Sequence, residues 1–141
     1  NGWELASHSW GHLDLGTVEW DRFQSDTDKW ESEVESLIGP TDIILFPFGA
    51  DVGDWHPYTM ENERFRYLYN AGFRYFCNVD SSQYWVQLGD DYLRQGRRNL
   101  DGYRMWKDIT AEAEGRPRKL DDLFRAEDIF DKSRPTPVPE M

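Results

Sequence analysis

Between residues 18 and 38 apolar side chains return every three or four positions, at Trp20, Phe23, Trp30, Val34, Leu37 and Ile38, while Asp and Glu fill the opposite face. That period predicts an amphipathic helix, either one long helix or two broken near Ser25. Thr17 is placed to cap its start, and Gly39-Pro40 ends it, since Gly accepts the left-handed cap conformation and Pro cannot extend the hydrogen-bond ladder. The aromatic stripe reads as core. On either side the pattern shortens to strand type, at Trp3-Glu4-Leu5-Ala6-Ser7 and again over residues 42–46. A helix over residues 61–70, with Phe65, Tyr67 and Leu68 inward and Gly72 closing it, leads to a third strand over residues 74–79. Strand, helix, strand, helix, strand predicts an α/β fold with a parallel sheet and right-handed crossovers.

Beyond Asp80 the pattern weakens. Residues 85–88 and 92–95 read as two strands about a hairpin-like turn at Gly89-Asp90, and Arg97, Arg98 and Arg104 as a solvated edge paired with neighbouring acids. Short helical patterns follow over residues 110–115 and 120–130. The length fits one domain, expected over residues 1–132, followed by a Pro-rich extended tail at 133–141.

Composition narrows the function classes. Asp and Glu number 27 against 16 Lys and Arg, a formal charge of -11, which repels nucleic acid and anionic membrane surfaces. No apolar run approaches the roughly 20 residues of a membrane span. The single Cys77 excludes an internal disulfide. Because the chain starts on Asn1-Gly2, directly before a strand, the expectation is that the natural N-terminus lies further upstream.

The chemistry concentrates at His8-Ser9-Trp10-Gly11-His12, which holds two of the three histidines. On an extended strand residues four apart stand roughly 13 Å from each other, too far to share an ion. On a helical turn they stand about 6 Å apart on one face. Ser9 occupies the place where a zinc protease needs Glu, and a zinc finger needs paired cysteines. What remains is a two-His site wanting a third ligand, most naturally a carboxylate, and an open position for water; a pair of histidines holding no ion is the alternative.

Glu4-Leu5-Ala6-Ser7-His8-Ser9-Trp10-Gly11-His12 resembles the second signature of the polysaccharide deacetylases of carbohydrate esterase family four, in which a strand leads into H-S/T-x-x-H. Ile43-Ile44-Leu45-Phe46-Pro47-Phe48-Gly49 resembles that family's third signature, a hydrophobic strand followed by Pro-aromatic-Gly. The resemblance covers residues 1–79 well and the rest loosely. It implies part of a distorted parallel β/α barrel lacking its first strand or strands, an acetylated chitin-like or peptidoglycan glycan as substrate, and an extracellular or cell-envelope location. It also implies a divalent metal, usually zinc, held by His8 and His12, which would polarise the acetyl carbonyl and lower the pKa of bound water. The backbone N–H of Phe48 would help hold the oxyanion of the tetrahedral intermediate.

Departures from the family pattern bear on activity. The first signature, which carries the metal-binding Asp and the catalytic base, would lie upstream of Asn1, so the chain alone is expected to be inactive. Leu45 stands where the third signature has Arg. The fourth signature, an Asp and a pocket-walling Trp, is echoed by Asp80 and Trp85, and no His follows His56 to supply the late general acid. His56 is the candidate substitute for that acid. Asp51, Asp54 and Asp80 are candidate replacement carboxylates, with Asp80 first because it ends a strand. Two other function classes compete with the deacetylase: a non-catalytic carbohydrate-binding domain with a degenerate site, and a structural or interaction domain contacting partners around Trp85. A barrel lacking strands would expose sheet edges and favour self-association.

Overall fold

The computed structural model describes residues 2–53, 56–79 and 85–131. They fall into two compact units, Asn1–Arg98 and Asn99–Met141, described in turn.

In the first unit, helix α1 (Trp20–Lys29) runs into a π-helical segment (Trp30–Glu35) and then α2 (Ser36–Ile38), so the predicted helix is continuous rather than broken at Ser25. It begins later than expected. Glu19 occupies the cap position without a side-chain bond, and Asp14 instead folds the entry, its Oδ1 accepting from the N–H groups of Gly16 and Thr17. Gly39 ends the helix at φ 87°, as its freedom from a Cβ permits. Leu37 and Ile38 depart from the inward stripe: Leu37 is 83% exposed. Bonding from i to i+5 winds the chain less per residue than an α-helix, so the π-helical turns rotate the last apolar pair away from the core.

Strands β1 (Ile43–Leu45), β2 (Tyr75–Val79), β3 (Trp85–Leu88) and β4 (Leu93–Arg97) form an open four-stranded sheet in the order β1-β2-β4-β3. The first two pairings are parallel and β3 with β4 is the antiparallel hairpin that the Gly89-Asp90 turn predicts. Helix α3 (Glu63–Asn70), capped by the Asn62 side chain on the Phe65 N–H, makes the crossover from β1 to β2. The expected first strand is reduced to a parallel bridge of Ser7 with Ile44, built from Ser7 N–H to the Ile43 carbonyl (2.9 Å) and Leu45 N–H to the Ser7 carbonyl (2.7 Å).

The core lies between the helices and one sheet face, where Phe23, Ile44, Phe46, Phe65, Leu68, Phe73 and Phe76 are buried. Rings meet edge-on or tilted, as their quadrupoles favour: Tyr58 stands at 90° to Phe76, and Phe65 tilts against both Phe76 and Tyr92. Arg64 of α3 holds the chain entering α1 by donating to the carbonyls of Leu15 and Val18 while lying over the Phe23 ring. Gly96 is required by its neighbour, since a Cβ there would stand 2.2 Å from Nε1 of Trp85.

The second unit carries α4 (Gly102–Ala111), which extends further upstream than the predicted 110–115 pattern, and α5 (Ala126–Ile129), all that forms of the weak 120–130 pattern. Asp101 caps α4 through the Arg104 N–H. The buried carboxylate of Asp108 accepts from the N–H groups of Lys119 and Leu120, and Arg118 holds Glu127 through two bonds of 2.6 and 2.7 Å. The tail predicted at 133–141 lies outside the described residues. Among those described, no helix is long and apolar enough to cross a membrane.

Candidate functional site

The residues at the end of the Ser7 bridge turn sharply, and that turn decides where the histidines point. The expected helical turn is absent. Ser9 at φ 57° and His12 at φ 51° take left-handed conformations instead, each a departure that costs a side-chain-bearing residue about 1–2 kcal/mol. The outcome is convergence all the same: the imidazoles of His8 and His12 lie 4.8 Å apart between centroids, at 75° to each other. Both residues are exposed. Nδ1 of His8 lies 2.6 Å from the Leu45 carbonyl oxygen, which can only accept, so Nδ1 is the donor and in the neutral ring Nε2 carries the lone pair.

Phe48 completes the group. It sits in the 3-10 turn Pro47–Gly49 that follows β1, at φ 59°; the residue is 74% exposed and its ring lies 4.7 Å from that of His12. Gly49 is forced there by close approach, because a Cβ would meet the Val79 carbonyl oxygen at 2.9 Å. Among the described residues the Phe48 N–H meets no acceptor. Strand β1 therefore supplies the carbonyl that orients one imidazole, and the turn that follows it supplies the ring that touches the other.

Three acids hold surrounding parts in place, and none was singled out from the sequence. Asp26 of α1, 4% exposed, accepts from the Trp10 N–H through Oδ2 (3.0 Å) and from the Gly11 N–H through Oδ1 (2.6 Å). Its signal in the sequence is position: it lies three residues after Phe23 and four before Trp30, on the buried stripe where an unpaired carboxylate would be costly. Glu33 takes the Trp10 indole N–H at 2.8 Å, with Lys29 standing 4.5 Å over the same ring. Asp14 shapes the exit from the turn.

The remaining candidates lie apart from the pair. His56 is exposed; its carbonyl accepts from Arg94, and no contact joins it to His8 or His12 among the described residues. Asp51 is engaged by Arg94 and by the Tyr58 hydroxyl, and Trp85 lies over Gly96 with the Arg94 guanidinium 5.1 Å from its ring. Asp80 and Asp54 lie outside the described residues. Two imidazoles, one with its tautomer fixed by a carbonyl, suit a zinc-type cation in donor chemistry. No group of three or more potential ligands occurs among the described residues. Comparisons of the chain with protein-family models, with curated proteins and with solved structures find no match.

Proposed function

We propose that this chain is the metal-binding and oxyanion-binding part of a polysaccharide deacetylase, its open sheet being an arc of a parallel β/α barrel. The observation that carries the reading is the juxtaposition of His8, His12 and the Phe48 turn on the chain segments at one end of β1. His8 and His12 would hold a divalent cation, zinc by donor type, with the third donor, a carboxylate, supplied from outside the described residues. When bound, that cation supplies Lewis acidity that polarises an acetyl carbonyl and activates water.

The chain's own residues would orient the site and steady the developing charge. The Leu45 carbonyl holds the His8 ring through Nδ1, which leaves Nε2 as the nitrogen for the ion. The Phe48 N–H, held in its left-handed turn without an acceptor among the described residues, would donate to an oxygen that gains charge as the acetyl carbon becomes tetrahedral; one such donor is worth roughly 3–4 kcal/mol to a transition state. The exposed Phe48 ring, beside that amide, offers the apolar face of a sugar a surface to rest on. Glycan substrates of neutral or cationic character are compatible with the acidic balance of the chain.

A cobalt(II) titration tests the metal assignment directly. The native chain should develop visible d–d bands that His8→Ala and His12→Ala each abolish; identical titrations in all three would end the reading. A second reading, a carbohydrate-binding domain without turnover, draws on the exposure of Phe48 and Trp10 beside the pair. Acetate release from N-acetylglucosamine oligomers, measured on the chain together with its native flanking sequence, separates the two, since the binding domain would give none.

A further inference from the structure

The histidine turn is built from residues that resist its shape. Ser9 and His12 both take a positive φ, which side-chain-bearing residues adopt uncommonly. Something outside the segment must hold it, and the bonds that do so converge on α1. Asp26 is almost fully buried, and its two oxygens accept from the consecutive N–H groups of Trp10 and Gly11, the residues between Ser9 and His12. Bonds from an amide to a carboxylate are about twice as strong as those between neutral groups. Position 11 is fitted to that carboxylate, for a Cβ on Gly11 would lie 3.0 Å from Oδ1 of Asp26. Inside the turn Ser9 Oγ accepts from the Leu13 N–H at 3.2 Å, a weaker clasp of the same loop.

We propose that Asp26 is the positioning residue of the histidine pair: its carboxylate imposes the left-handed turn and so brings the His8 and His12 rings together. The part of this that concerns a bound cation rests on the metal reading above; the part that concerns the turn does not. Asp26 acts through the backbone alone and is not itself offered as a ligand.

The test uses the isotopically labelled chain and Asp26→Asn, which keeps the size of the side chain and removes its charge and one of its two acceptors. In the native chain the amide protons of Trp10 and Gly11 should lie far downfield and exchange slowly, and a cross-ring nuclear Overhauser effect should join His8 to His12. In Asp26→Asn both amide signals should move upfield and the cross-ring effect should fall by at least half, with β1 and β2 amides unchanged. Cobalt(II) affinity should then drop about 10- to 100-fold, the range for loss of an outer partner of a ligand. A folded Asp26→Asn chain with the cross-ring effect intact overturns the proposal. Should that variant fail to fold, the native amides decide: downfield and protected sustains it, ordinary shifts with fast exchange overturn it. Failure of the native chain to take up cobalt would remove the metal reading alone, because the amide and ring measurements need no ion.

Discussion

Arg94 and Asp51 form an ion pair whose side chains are 2% and 5% exposed. Arg94 also donates to the His56 carbonyl at 2.7 Å and to Oε1 of Gln87 at 3.2 Å, and its guanidinium lies 4.5 Å over Tyr58. The Tyr58 hydroxyl donates to the second oxygen of Asp51. Burial first, and then the Asp51 charge, holds that phenol protonated well above its usual range. This cluster ties the loop after the Phe48 turn to β4. Removing Asp51 leaves a buried guanidinium without its counter-charge, so Asp51→Ala should lower stability by about 3–5 kcal/mol. The double variant Asp51→Leu with Arg94→Met should lose far less. Urea denaturation of both settles it, and equal losses would show that the pair is not the source.

Phe48→Gly should leave the chain as stable or raise its stability by about 0.5–1 kcal/mol. The ring is mostly in solvent, and glycine takes φ 59° without the Cβ penalty. Thermal unfolding measures this, and a clear loss would mean that the contact with His12 outweighs the backbone strain. The variant also retains the N–H, so in the proposed deacetylase it should reduce substrate affinity more than turnover.

How much of this could be read in advance differs between levels. The parallel sheet and its helical crossover follow from period and turn residues, because Ile44, Phe46, Phe65, Leu68 and Phe76 alternate or recur as burial demands. The order β1-β2-β4-β3 does not follow, since nothing in the hydrophobic pattern distinguishes which strand of a hairpin joins the sheet. At the candidate site, four-residue spacing suggested that His8 and His12 could meet and assigned the wrong backbone to the meeting. Left-handed Ser9 and His12 are legible only with the distant acid that holds them, and a bond spanning sixteen residues leaves no local period. The exposed Leu37 shows the same limit, because a π-helical turn has no sequence period of its own.

Tyr67 should titrate late. The hydrogen bond to Asp28 (2.5 Å), with burial and the Asp28 charge behind it, raises its phenol from 10.0 to about 12. A group raised on folding stabilises the fold in full below its unfolded value, near pH 10, and that contribution disappears as pH climbs through about 12. Carbon-13 observation of the ring Cζ should give a midpoint near 12 in the native chain and one close to 10 in Asp28→Asn. An unchanged midpoint in that variant would remove Asp28 as the cause.

In the second unit the sign reverses. Glu127 is lowered from 4.5 to about 2, first by the Arg118 bonds and then by a backbone N–H. A group depressed on folding contributes above its unfolded value, and that contribution fades as pH falls from about 4.5 through 2. The order of the segment joining Arg118 to α5 should therefore weaken over that acid window, and Arg118→Ala should return the Glu127 titration toward 4.5. Side-chain carboxyl resonances report both, and a Glu127 midpoint that ignores Arg118→Ala would refute the assignment.

The Asp26 bonds to Trp10 and Gly11 have one more effect. The segment bearing the two imidazoles borrows its shape from a helix, so it can be no more durable than the seating of Phe23 and Trp30 beneath that helix. A change that merely unsettles those aromatic anchors, leaving the strands intact, would let the rings drift apart while the chain still registers as folded. Wear in this molecule would register first as lost convergence at its surface and only afterwards as melting.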